Sequence, residues 1–173
     1  MQKEIWVVDI EASGLSPASY PIEVGVFNGR QEYQSLISPA EPWTHWSLKA
    51  EELHGISREE LDKTGTSSPV VAGSLNRLLG ASTVFSDHGD WDDFWLKRLF
   101  ENAGIKQTFA VEDISTLLSD GQAGVFDAYL GKLRKTKEYR AHRALDDARI
   151  IYRAIIYALS TGTQYPVEKA RRV

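Results

Sequence analysis

A short apolar run that ends in two acids, Lys3-Glu4-Ile5-Trp6-Val7-Val8-Asp9-Ile10-Glu11, limits what this chain can become. Its β-branched and aromatic residues favour a strand. The unbroken apolar stretch from Ile5 to Val8 needs cover on both faces, as a central strand in a layered sheet has. Side chains alternate across a strand, so Asp9 and Glu11 project to the same side with only Ile10 between them. Two carboxylates ending a buried strand cost on the order of several kcal/mol unless they are paired or take up protons. A divalent cation is the natural neutraliser. Asp-x-Glu alone is more often a solvated strand end, so the remaining segments have to decide between the two.

At 173 residues the chain is long enough for one full core, and it reads as a single α/β domain over residues 1–173. Apolar residues at 42% and charged residues at 25% give the balance of a soluble globule. The absence of cysteine excludes disulfides, zinc-thiolate sites and thiol nucleophiles. No apolar stretch reaches the roughly 20 residues of a membrane span, and no signal-like start precedes the first strand. The expectation is a cytoplasmic protein with no membrane association. A net charge of −4 argues against a dedicated polyanion binder. That objection weakens if metal cancels four of the acids.

After the Gly14 to Pro21 loop, Ile22 to Phe27 reads as a second strand, turned by Asn28-Gly29 onto a third over Gln31 to Ile37. A hairpin beside a buried strand makes the sheet mixed. Ser47 to Leu53 is a short capped helix, Ser57-Arg58-Glu59-Glu60 a capping box, and Ser68-Pro69 opens a longer helix stopped by Gly80. Thr83 to Ser86 is a fourth strand, Trp91 to Asn102 a helix, Phe109 to Asp113 a fifth strand and Gln122 to Leu133 a weakly patterned helix. A basic loop, Arg134 to Arg143, precedes a final helix from Ala144 to Ser160, whose stripe is Ala144, Ala148, Ile151, Ile155 and Leu159. Residues 161–173 read as a loosely held tail.

This layout supplies further metal-ligand candidates. Asp92 falls in the first turn of its helix, where amide dipoles favour an anion, and Asp87 and Asp90 in the preceding turn are rivals. Asp92 is preferred because only it has Trp95 and Leu96 at the three- and four-residue spacing that a helix buries. Asp147 lies early in the last helix, five positions beyond His142. On a helix that offset leaves the two about 140° apart, so His142 can share a site with Asp147 only from the loop. Oxygen-only ligands select Mg²⁺ or Mn²⁺. Two such ions about 3.5–4 Å apart balance four carboxylates and can clamp the attacking and leaving oxygens of a phosphodiester. A histidine beside them can take a proton from water.

These residues carry a resemblance. Asp9-x-Glu11 with its Ser-Gly-Leu turn resembles the first motif of the DEDDh 3′→5′ exonucleases, the DnaQ-like family. Trp91-Asp92-x-x-Trp95-Leu96 is similar to the second motif, His142 to Asp147 to the third, and Leu53-His54-Gly55-Ile56 to a signature between the first two. The resemblance implies a ribonuclease-H-like mixed five-stranded sheet flanked by helices. It implies that Asp9, Glu11, Asp92 and Asp147 hold two Mg²⁺ ions, for which Mn²⁺ substitutes, and that His142 is the general base. Ala12, Leu53, His54 and Trp91 would line the pocket for the terminal nucleotide. The sequence departs from the family at Ser86-Asp87-His88-Gly89-Asp90, where His-Asn-Ala is common, and at Ala12, where Thr is common.

Trp91, beside a ligand, can stack on a base for about 1–3 kcal/mol, whereas Trp6, Trp43, Trp46 and Trp95 read as core by default, with flanking the same cleft as the alternative for Trp43 and Trp46. His45 and His88 read as surface residues. The function expected is a metal-dependent exonuclease removing nucleoside monophosphates from 3′ ends of single-stranded DNA or RNA, with no obligate protein partner. Two other classes compete: an inactive nucleic-acid-binding or docking module of the same fold, and a metal phosphomonoesterase.

Overall fold

In the computed structural model, which describes residues 4–136 and 138–161, the acid-terminated run folds as strand β1, Trp6–Ala12. It is the middle strand of a five-stranded sheet ordered β3-β2-β1-β4-β5, with β2 at Pro21–Phe27, β3 at Glu32–Leu36, β4 at Thr83–Ser86 and β5 at Ala110–Asp113. β1 pairs antiparallel with β2 and parallel with β4, so the sheet changes sense at β1. β2 and β3 are antiparallel, and β4 and β5 parallel. The Asn28-Gly29 signal does mark a hairpin, although the connection runs from Asn28 to Gln31. Asn28 Oδ1 accepts from the amides of Arg30 and Gln31 at 2.9 and 2.7 Å, which holds the longer loop closed.

The strand's alternation divides the core. Trp6, Val8, Ile10 and Ala12 face a layer built on helices α1 (Leu48–His54), α2 (Arg58–Thr64), α3 (Ser68–Leu79) and α4 (Gly89–Ala103), with Ile56, Leu61, Leu75 and Leu96 fully buried there. Val7 faces the opposite layer, built on α5 (Asp120–Leu133) and α6 (Ala144–Thr161). Asp9 and Glu11 share the parity of Val7 and therefore lie on the α6 side. Burial of each large aliphatic side chain contributes about 1.5–3 kcal/mol. Both layers together hold β1 in one register.

Element boundaries move slightly from the sequence expectation. α4 begins at Gly89 rather than Trp91. α5 begins at Asp120 rather than Gln122, because Gln122 Oε1 accepts the Ser119 amide at 3.0 Å and secures the first turn. A 3-10 turn at Ile114–Thr116, started by Asp113 Oδ1 accepting the Ser115 amide at 2.8 Å, has no counterpart in the sequence reading. On α6 the expected stripe is buried from Ala144 to Ile155, but Leu159 is only partly covered and Ala158 takes its place. Thr161, expected in the tail, is the last residue of α6, whereas the expected start of the first strand at Lys3, Lys137 of the basic loop and residues 162–173 lie outside the described residues.

Candidate active site

The site forms where β1 ends and α6 begins. Carboxylate oxygens of Asp9, Glu11 and Asp147 lie within 4.8 Å of one another. Two features of β2 bring α6 this close. Gly25 is paired with Asp9, and a Cβ on it would lie 2.3 Å from the backbone carbon of Ala144 and the backbone nitrogen of Leu145, so only glycine lets the first turn of α6 pass. Glu23, paired with Glu11 and fully buried, accepts from Arg143 Nη2 at 2.6 Å, from the Ala144 amide at 3.0 Å and from Gln34 Nε2 at 2.7 Å. The chain is thereby fastened just ahead of Asp147, whose Oδ2 accepts the Arg143 amide at 3.1 Å.

Burial and crowding raise the acids in the metal-free protein. Asp9 is held well above the usual carboxylate range, first by desolvation and then by the charges of Asp92, Glu11 and Asp147. Glu11 is pushed up to about 8 by burial and by Asp147 and Glu23, with Arg143 opposing. Asp147 is also raised by burial, against the pull of His142 and Arg134. Carboxylates this close cannot all ionise without a cation. Three oxygen donors, with no thiolate or imidazole among them, suit a hard divalent ion such as Mg²⁺ or Mn²⁺.

Asp92 does not belong to that three-residue group, although it is Asp9's strongest charged neighbour. It is 2% exposed in the first turn of α4, raised to about 8 by desolvation, and it accepts from the Ser86 hydroxyl and the Ile10 backbone amide. The β1–β4 ladder stops at Val7 and Phe85, which frees the amides farther along that edge of β1 for another acceptor. Ser86 Oγ in turn accepts the His88 amide at 2.9 Å, fixing the entrance to α4. Of the two rival acids, Asp90 is exposed, whereas Asp87 acts electrostatically on both Asp9 and Asp92.

His142 stands in the turn before α6, as sharing a site with Asp147 requires. Its side chain is exposed and its φ is +57°, a left-handed conformation uncommon for a residue with a Cβ. Its charge acts on Asp147 and on His54. His54 ends α1 at 3% exposure; its Nδ1 accepts the Ile56 amide at 3.1 Å, which leaves the proton on Nε2, where it has no partner among the described residues. Burial keeps this imidazole neutral by lowering its pKa. Ala12 is buried at the end of β1, Leu53 is 56% exposed, and Trp91 stacks on Trp95 with ring centroids 5.3 Å apart. Trp43 is core, stacked on Tyr20 at 5.2 Å, while Trp46 is partly buried and donates to Glu51 at 2.6 Å. His45 is half-buried against Ser13 Oγ at 3.1 Å, and His88 is exposed.

A family model described as RNase T, exonuclease, matches residues 6–155. The chain belongs to this exonuclease family. No curated protein matches it in sequence. Among solved structures, Exonuclease I of E. coli in complex with a dA16 oligonucleotide is similar, with a TM-score of 0.68 and 15% identity over 92% of this chain. A structure of Exonuclease I reported for what it suggests about processivity gives 0.69 at 15%, and the zinc-bound E. coli ExoI–ssDNA complex gives 0.66 at 13%. Each match covers 41% of the Exonuclease I chain, so this protein spans about two-fifths of that length. At these identities the likeness shows the fold, a ribonuclease-H-like α/β sheet.

Within this exonuclease fold, the positioning residues were the ones hardest to see in the sequence. Glu23 and Gly25 lie outside every motif, while Ser86 and Arg143 fall within motif segments but hold the candidate ligands in place rather than serving as ligands themselves. Glu23 did leave a trace: an acid inside an otherwise apolar strand, Ile22 to Val26, requires a buried cationic partner. Among the described residues no helix is long and apolar enough to cross a membrane.

Proposed function

We propose that this family member is a 3′→5′ exonuclease that removes nucleoside monophosphates from single-stranded nucleic acid. The convergence of Asp9, Glu11 and Asp147, with Asp92 beside them, carries the reading. Exonuclease I, which shares the fold, binds oligonucleotides such as dA16, which supports a single-stranded substrate. Two divalent ions, Mg²⁺ or Mn²⁺, held by Asp9, Glu11, Asp92 and Asp147, would supply positive charge to the attacking and departing oxygens.

The protein's own groups supply the rest. His142 accepts a proton from the attacking water as the new oxygen–phosphorus bond forms. The bond from phosphorus to the 3′ oxygen of the preceding nucleotide breaks, and that oxygen stays on the shortened strand. Asp147 orients the His142 turn through the amides it accepts. Ala12, Leu53, His54 and Trp91 would receive the terminal nucleotide, with the Nε2 proton of His54 available to an acceptor on it.

The test is digestion of a 5′-labelled single-stranded oligonucleotide, as DNA and as RNA, in Mg²⁺ or Mn²⁺ with and without EDTA. Stepwise shortening that releases monophosphates and stops with EDTA is expected. Release of inorganic phosphate alone would identify a phosphomonoesterase. Binding without shortening would identify a docking module.

A further inference from the structure

Three arginines of α6 and the turn before it are already committed. Arg143 is spent on Glu23, Arg149 on Glu32 and Asp146, and Arg153 on Glu138 and Tyr139. Arg134 differs. It follows the last residue of α5, its side chain is 48% exposed, and among the described residues that side chain makes one hydrogen bond, from Nη2 to Asp87 Oδ2 at 3.2 Å. Asp87 lies just past the end of β4 with its side chain 10% exposed, and its other oxygen, Oδ1, is buried without a partner among the described residues. The Asp87 charge reaches Asp9 and Asp92, and that of Arg134 reaches Asp147. The guanidinium is thus moored at the rim of the carboxylate cluster by one of its five donors, and four remain available.

We propose that Arg134 binds a non-bridging oxygen of the substrate's last phosphodiester, with Asp87 holding the guanidinium within reach of it. A planar fork with free donors suits a phosphate oxygen better than a single long contact to a carboxylate does. A half-exposed pair of this kind contributes little to stability, at most about 1 kcal/mol, so ligand binding is the better account of the guanidinium's position. The inference rests on the nucleic-acid reading above.

Binding is measured without turnover, by fluorescence anisotropy of a labelled single-stranded dT12 in Ca²⁺, which takes the same oxygen ligands, across a series of salt concentrations. Arg134→Ala should weaken binding roughly tenfold and make the slope of log affinity against log salt shallower by about 0.7, the contribution of one phosphate contact on a single strand. Arg134→Lys, which keeps the charge, should retain the wild-type slope. With a methylphosphonate at the last linkage, wild type and Arg134→Ala should bind alike. An unchanged slope in Arg134→Ala, or a deficit that persists on the neutral linkage, overturns the proposal. Wild-type protein that binds as described but does not shorten oligonucleotides in Mn²⁺ would instead overturn the exonuclease reading and leave Arg134 as a phosphate ligand.

Discussion

Arg143 and Glu23, 120 positions apart in sequence, meet as an ion pair in which the carboxylate is fully buried and the guanidinium donates through both Nε and Nη2. Glu23 also stands directly across from Glu11 on the neighbouring strand. Two acids facing each other across a ladder repel, and Arg143 offsets that repulsion while tying the start of α6 to the sheet. Architecture and electrostatics at the site therefore depend on the same contact.

Breaking that pair from one side strands a buried charge and should cost about 3–5 kcal/mol. In a chain of this length that corresponds to a fall of about 10 °C in Tm. Arg143→Met should be the worse single change, since it leaves both Glu23 and Glu11 uncompensated. Adding Glu23→Gln to it should recover part of the loss. Thermal unfolding of the two single variants and the double variant checks the order.

Gly25→Ala should displace α6, because the atoms its Cβ would meet are backbone and cannot rotate away. Overpacking of this kind costs about 1–3 kcal/mol, and moving Asp147 away from Asp9 should lower nuclease turnover at least tenfold. The matched control is Gly73→Ala in α3, where nothing lies within 4 Å of the added carbon. There a helix interior gains roughly 0.5–1 kcal/mol from losing glycine. Melting curves and rates for both variants distinguish crowding from a general intolerance of substitution.

The raised carboxylates set a pH dependence. Glu11 ionises near 4.5 in an unfolded chain but near 8 in the metal-free fold, and Asp92 near 3.8 but about 8. Between those limits the unfolded chain gains stability by ionising while the folded protein stays protonated. Metal-free protein should therefore be most stable in acid and lose stability as pH rises from about 3.8 to about 8. Adding Mg²⁺ or Mn²⁺ should raise Tm much more at pH 8 than at pH 5. A Tm in EDTA that stays flat or rises across this range would contradict the assignment.

His142→Ala should reduce turnover by about 10² or more, the usual contribution of a general base, while leaving metal-induced stabilisation near wild type. Because His142 has φ of +57°, His142→Gly should be more stable than His142→Ala by about 1 kcal/mol through relief of the left-handed backbone. Both variants should be equally impaired. Rates within a few-fold of wild type would remove His142 from the proton transfer.

Much of the sheet was legible from local chemistry. Alternation along β1 placed Asp9 and Glu11 on a common side, and the hairpin signal at Asn28-Gly29 correctly made the sheet mixed. The angular offset between His142 and Asp147 required the histidine to sit ahead of the helix, where it stands. The positioning contacts were not legible, because Gly25 beneath Ala144 and Ser86 beside Asp92 depend on how separate segments pack. Nothing in the local sequence around Asp87 announces a contact with Arg134 either, since that pair closes over 47 positions.

The parity of β1 gives it a proofreading role in folding. Val7, Asp9 and Glu11 look one way, and Trp6, Val8, Ile10 and Ala12 the other. A slip of one position in pairing would reverse both sets. Two acids would then be pressed into a greasy layer that offers them no counter-charge, while the helix bearing Asp147 met bare hydrocarbon. A mispaired molecule would lose its packing and its carboxylate cluster together, so an errant conformer could not keep a working site.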